Sequence, residues 1–216
     1  MNMISKKHRA AATGLLFAAG IVLLQPSALS AKRFQTPPWK GSFSFGSGLF
    51  YPAQTAVRTL YGDFSVPFHV QADVRLGGPF AAFAGYRYLA TAGATVLVDP
   101  SFEEESAGLT LLVHSLRAGF RLDSSLGRSK IFAQVGGAFH YYRERWDDRD
   151  LDVDGRIGGA FMAAGVEIPL GPRWALQLRG EYISVPTDKG GPLEPSVDLG
   201  GLDAVLGIVY RFGRRQ

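Results

Sequence analysis

From Gly41 to Phe212 the chain alternates apolar and polar residues with a period of two, in eight segments: 41–51, 67–77, 80–90, 109–122, 131–142, 158–168, 174–184 and 202–212. Successive side chains of an extended chain point to opposite faces, so this period predicts strands. One face carries no Asp, Glu, Lys or Arg. It begins with Phe43, Phe45, Leu49 and Tyr51 and ends with Leu206, Ile208, Tyr210 and Phe212. The other face collects the strand charge: Asp73, Arg75, Arg87, Arg117, Arg121, Glu167, Arg179, Glu181, Asp203 and Arg211, with His69, Gln71, Gln134, His140 and many small residues.

Alternation does not say which face points inward, because a lipocalin-like soluble barrel alternates equally well with its apolar face inside. Two features favour the apolar face outside. That face carries fourteen Phe, Tyr and Trp, more bulk than the interior of an eight-stranded barrel holds. The charged face has six Arg and no Lys; Arg suits confined, hydrogen-bonded surroundings, whereas a solvated face mixes Lys with Glu. A sheet in lipid must also close, since an open edge would strand N–H and C=O groups. The expected fold is all-β, an eight-stranded antiparallel up-and-down transmembrane β-barrel over residues 41–212.

The connections alternate in length. Residues 77–79, 123–130 and 169–173 are short, whereas 52–66, 91–108, 143–155 and 185–201 are long. Barrels of the bacterial outer membrane have short periplasmic turns and longer extracellular loops, and an even strand number leaves both termini periplasmic. The aromatics sort into two girdles on this topology: Trp39, Phe80, Phe120, Trp174 and Phe212 at the periplasmic end, and Tyr51, Phe68, Tyr88, Tyr141 and Tyr182 at the outer end.

Residues 1–31 read as a secretory signal peptide: Lys6, Lys7 and Arg9 precede an apolar run from Ala10 to Leu24, Pro26 breaks it, and Ala28, Ser30 and Ala31 supply a cleavage site. Residues 32–40 read as a short periplasmic linker and 213–216 as a C-terminal tail. Removing the leader takes three of the 23 Lys and Arg and none of the 19 Asp and Glu, leaving 20 basic residues against 19 acidic. That balance offers no basic stripe for a nucleic acid. No second long apolar run follows, which excludes a helical membrane protein. A length of 216 residues suits one domain, and the absence of Cys excludes disulfides, thiolate zinc sites and a Cys nucleophile.

The last strand, Gly207-Ile208-Val209-Tyr210-Arg211-Phe212, resembles that of small bacterial outer-membrane barrels of the OmpA and OmpX type. The resemblance implies that Gly207, Tyr210 and Phe212 form the signal read by the barrel-assembly machinery, and that outer-membrane lipid and lipopolysaccharide surround the chain. The tail Gly213–Gln216 departs from the family pattern, in which the Phe is terminal. The mature chain leaves no room for an OmpA-style peptidoglycan-binding domain, so tethering is not expected.

The expected function is structural or surface-interactive, in adhesion or envelope integrity, through four loops whose ligand is unspecified. Arg75, Arg117, Arg179 and Arg211 are expected to pair with Asp73, Glu167, Glu181 and Asp203 and to fill the lumen. A narrow channel for small solutes is the first alternative, and a lipid-modifying enzyme the second. The chain also resembles the lipid A deacylase type in size, but the matching segment Glu181–Val185 has Ser184 and no His to serve as general base. His114 and Ser115 are adjacent, hence on opposite faces. No catalytic residue and no cofactor is expected. Asp150, Asp152 and Asp154 before Gly155 match the first half of a calcium-binding loop, although position twelve is Phe161 and a solvated acidic loop explains them as well. With Asp147 and Asp148 they offer a weaker option, divalent ions held against lipopolysaccharide phosphates.

Overall fold

The computed structural model describes residues 39–98, 104–146, 152–185 and 198–214. The leader, residues 32–38 of the linker and Asp150 lie outside them. Eight antiparallel strands close into a barrel in chain order: β1 (Trp39–Pro52), β2 (Val66–Gly77), β3 (Phe80–Val98), β4 (Glu104–Leu126), β5 (Ser129–Trp146), β6 (Asp152–Pro169), β7 (Trp174–Ser184) and β8 (Gly201–Arg214). The seam is a long β1–β8 ladder from Trp39↔Arg214 to Pro52↔Gly201. The short turns and the two described ends of the chain lie at one rim, the turn end. The longer connections lie at the other, the loop end.

All eight expected strands are present, several of them longer than their alternating windows. Lys130 and Asp123, read from sequence as part of a connection, belong to strands, because the β4–β5 hairpin continues to Leu126↔Ser129. Its tight turn is Gly127-Arg128, with Gly127 at φ 62° in the left-handed region that glycine adopts without a Cβ penalty. At the loop end β3, β4, β5 and β6 run on past the barrel wall. There the alternation fades, since Leu109, Leu111 and Val113 point inward while Leu112 points outward, and the period-two signal is lost in a continuous apolar run.

The apolar face is outside. Leu116, Phe120 and Val135 are 63%, 64% and 61% exposed, while Asp73 and Arg121 on the charged face are 0% and 1% exposed. Phe43, Phe45, Phe68, Phe80, Phe139, Trp174 and Phe212 join the outer band. Water penalises a continuous apolar surface of this kind, and hydrocarbon does not.

Two features of the interior depart from the sequence reading. Trp39, assigned to the girdle, is buried and packs beneath cations, with the Arg75 guanidinium and the Lys130 ammonium each 4.5 Å from its ring. Trp39 opens β1 at the rim, where its ring lies against Lys130 and against Arg75, which also pairs with Asp123. The interior is also not purely polar. Phe50, Phe83, Phe132 and Phe161 point inward, and Arg87, Arg117 and Arg121 stack on Phe50, Phe161 and Phe132 at 4.6, 4.1 and 4.1 Å. Such stacking satisfies the guanidinium face that hydrogen bonds leave bare.

A short helix, α1 (Thr55–Tyr61), sits in the connection read as a plain loop. Val57, Leu60 and Tyr61 share one helical face. They pack on Phe50, Leu89, Leu109, Leu111 and Val113, closing the loop end with an apolar cluster. Gly62, at φ 83°, stops the helix and donates its N–H to Arg58 O at 2.8 Å. The Tyr61 hydroxyl donates to Glu144 Oε2 at 2.5 Å, and Trp146 Nε1 donates to Glu144 Oε1 at 3.0 Å. Burial first, then the Glu144 hydrogen bond and charge, push the Tyr61 phenol well above its usual range, so it stays a donor. Tyr61→Phe is expected to speed hydrogen exchange of the α1 amides about tenfold, the equivalent of one charge-assisted hydrogen bond. Unchanged exchange would mean that the apolar packing alone holds the helix.

Candidate functional site

Nearest the turn end, the interior is organised around Arg121, a fully buried cation on β4. Its Nε donates to Asp123 Oδ1 at 2.6 Å, one terminal nitrogen donates to Glu167, and the other lies 3.9 Å from Asp73. Glu167 also accepts from Arg211 at 2.7 Å, and Asp123 from Arg75. Asp73 accepts further bonds from Ser42 and Gln71, at 2.9 and 2.8 Å.

The middle of the barrel holds a second node. Arg117 donates to Glu181 at 2.5 Å, and Arg179 Nε lies 3.5 Å from the same carboxylate. Arg87 donates to both oxygens of Asp203, at 2.8 and 3.2 Å. His69 joins the two pairs: its Nδ1 meets Arg117 and Arg179 at 3.1 and 2.9 Å, and its Nε2 lies 3.3 Å from Asp203. Arginine has no acceptor, so Nδ1 must supply the lone pair and the ring proton sits on Nε2, aimed at Asp203.

The seven residues expected in the polar network, Asp73, Arg75, Arg117, Glu167, Arg179, Glu181 and Arg211, all lie in it. Arg87, Arg121 and Asp203, which the alternation had placed on the same face, complete it. The pairing differs from the expected one: Asp203 binds Arg87, Asp73 lies nearest Arg121 and Arg75 binds Asp123, because the stagger of the barrel sets which side chains meet. Asp123 and Lys130 are additions that a longer reading of the β4–β5 hairpin would have found.

His69, Glu181 and Asp203 bring ligand atoms within 4.8 Å of one another, a spacing that a metal ion could use. The surrounding charge opposes one. Two carboxylates already face the guanidiniums of Arg87, Arg117 and Arg179, so a divalent cation would add charge to a net positive, buried group. The trio is an ion-pair node. Asp152 and Asp154 sit on β6, opposite Arg145 and Arg143 of β5. An extended strand lacks the sharp wrap that a calcium loop needs, which removes the geometric basis of the calcium reading from Asp152 to Gly155.

Ser115 and His140, which no sequence reading joined, are cross-strand neighbours with Ser115 Oγ 2.7 Å from His140 Nδ1. Both are buried, at 0% and 1% exposed, and His140 Nε2 has no hydrogen-bond partner among the described residues. Neither residue of the pair bonds a carboxylate among the described residues. His114 lies on the outer surface. On β8, Gly207 faces Gly46, Tyr210 stacks on Trp174 with ring centroids 4.9 Å apart, and Phe212 lies exposed on the outer wall beside Gly41.

A closed eight-stranded up-and-down barrel, charged within and apolar without, has the fold of the small outer-membrane barrels. Among solved structures the chain is similar to Neisserial surface protein A, with a TM-score of 0.56 and 12% identity over 80% of this chain and 97% of that one. OprG of Pseudomonas aeruginosa follows at TM-score 0.52 and 11% identity, over 81% and 97% of the two chains. Ail, the attachment invasion locus protein of Yersinia pestis, gives 0.51 and 11%, over 81% and 99%. At these identities the likeness is one of fold. No protein-family model matches the chain, and no curated protein matches it in sequence.

Proposed function

We propose that this chain is an integral barrel of a bacterial outer membrane, with its turn end and both termini in the periplasm, a sealed interior, and a loop end that serves surface interaction. The observation that carries the reading is the filling of the interior: the ion pairs Arg121–Glu167 and Arg87–Asp203, stacked rings beside them, and the α1 cluster across the loop end. Eight strands leave room for side chains and little else. A conducting role is therefore disfavoured. The outer apolar band supports the lipid setting, with lipopolysaccharide and outer-membrane lipid as surroundings, and Gly207, Tyr210 and Phe212 as the segment offered to the barrel-assembly machinery.

An adhesive or envelope-stabilising role fits the extension of β3 to β6 beyond the wall, which makes a raised sheet at the loop end. The fold likeness to an attachment invasion locus protein agrees with it. No enzymatic step is proposed, since Ser115 and His140 are buried and lack a carboxylate partner among the described residues, and no cofactor is invoked.

The leaderless chain refolded in detergent is expected to run as a compact β-rich species that shifts on heating, and to give no unitary steps in a planar bilayer. Reproducible unitary conductance would overturn the sealed interior. A monomer that folds in plain buffer would overturn the membrane setting.

A further inference from the structure

One line of outward residues crosses four strands in register: Tyr88 pairs with His114, His114 with Tyr141, and Tyr141 with Arg156. It is the first polar row above the apolar band. On β5 that band runs from Ile131 through Val135 to Phe139, roughly 20 Å along the membrane normal for a strand rising ~3.3 Å per residue at ~40° tilt. At β5 the row therefore falls where hydrocarbon gives way to lipid headgroups.

An imidazole is out of place on a lipid-facing wall, and this one is held. Tyr86 Oη lies 2.6 Å from His114 Nδ1, and the rings of Tyr88 and Tyr141 stand 5.1 and 6.1 Å from it. A phenol donating to Nδ1 leaves the ring proton on Nε2, facing away from Tyr86. In the rows beyond, Arg143 stands opposite Asp154 and Arg145 opposite Asp152, and Arg143 Nε lies 4.0 Å from Asp152 Oδ2, so these rows carry acids beside their cations. Arg156 is different. It faces a tyrosine, is exposed, and has no carboxylate partner among the described residues. The β6–β7 ladder starts only at Ala160↔Ser184, so no β7 rung stands beside it. One guanidinium with no ion partner among the described residues, one imidazole and two phenols thus share a row that contains no acid.

We propose that Arg156 and Tyr141, with His114 and Tyr88 continuing the row, bind the phosphate of an outer-leaflet lipid headgroup, whose acyl chains lie on the apolar band below; the assignment of leaflet rests on the orientation proposed above. The guanidinium fork matches two phosphate oxygens, and the neutral donors match the remaining oxygen. Charge complementarity and depth favour a lipid over a soluble anion, because only a lipid fills the band and the row together.

The test uses the leaderless chain refolded in detergent with a chelator present, so that Asp152 and Asp154 cannot bridge through divalent ions. Native mass spectrometry counts retained lipid during titration with bisphosphorylated lipid A, with its dephosphorylated form, and with inorganic phosphate as competitor. The wild-type barrel is expected to retain phosphorylated lipid A at least about tenfold better than the dephosphorylated form, and Arg156→Gln to lose that preference. Tyr141→Phe, the milder variant, is expected to lose about threefold. Arg173→Gln, an exposed arginine at the turn end, is expected to change nothing. Equal retention of the two lipids, or Arg156→Gln and Tyr141→Phe both matching wild type, would overturn the site. Displacement by inorganic phosphate at lipid-like concentration would overturn the choice of a lipid. Heat-shifted mobility is read for every variant, so a folded barrel that ignores phosphate sinks this site and leaves the membrane reading standing.

Discussion

Replacing Arg121 with Met is expected to cost the barrel about 3–5 kcal/mol, read as a lower urea midpoint for loss of the heat-shifted band in detergent. Arg121 faces Asp73, Asp123 and Glu167 at once, and all four residues are buried. Removing the cation leaves three carboxylates to share the remaining guanidiniums of Arg75 and Arg211. A buried ion pair is not in itself strongly stabilising, because desolvation offsets most of the attraction; breaking one side of it is what costs. The double variant Arg121→Met with Glu167→Gln should therefore recover part of the loss, a coupling that separates charge from packing. A single variant within about 0.5 kcal/mol of wild type would show that water or a neighbouring arginine replaces the guanidinium, and the node would then be dispensable.

Val135→Arg is the second large effect, at about 2–4 kcal/mol if the outer band lies at the bilayer midplane. Val135 stands midway between Ile131 and Phe139 on β5 and is 61% exposed. On a water-facing wall the same substitution would fall within about 0.5 kcal/mol of zero. Thr59→Arg, an exposed position on α1 away from the band, serves as the control. Equal effects at the two positions would mean that water covers the band, and the barrel would be a soluble one with an unusually apolar coat.

Both predictions draw on residues of different legibility. Val135 was assigned to the outer face by alternation with Ile131 and Ala133, without any tertiary knowledge. The inward place of Arg121 follows from the same rule, but its role does not. Its neighbours come from three strands, with Glu167 46 residues along the chain, and the stagger of the barrel decides which carboxylates reach it. The Arg87–Asp203 bond spans 116 residues, a pairing that exists only because β8 returns to β1 and closes the ring. Asp123 was hidden for a simpler reason: Ser124, Ser125 and Gly127 resemble a loop, although the hairpin pairs through them.

The helix α1 shows another limit. Its seven residues are too few for propensity to decide. Its stability comes from Val57 and Tyr61 meeting Leu89 and Leu111, which are distant in sequence. The Ser115–His140 contact likewise appears only when β4 and β5 are set in register.

Strand number, the identity of the two faces and the order of neighbours were determined by the sequence alone, because a period of two is a local property of an extended chain and short turns force adjacent strands together. Which arginine meets which carboxylate, how Trp39 folds beneath two cations, and which polar row lies above the band were decided by the tertiary structure. Those contacts depend on register and closure, and both are properties of the whole ring.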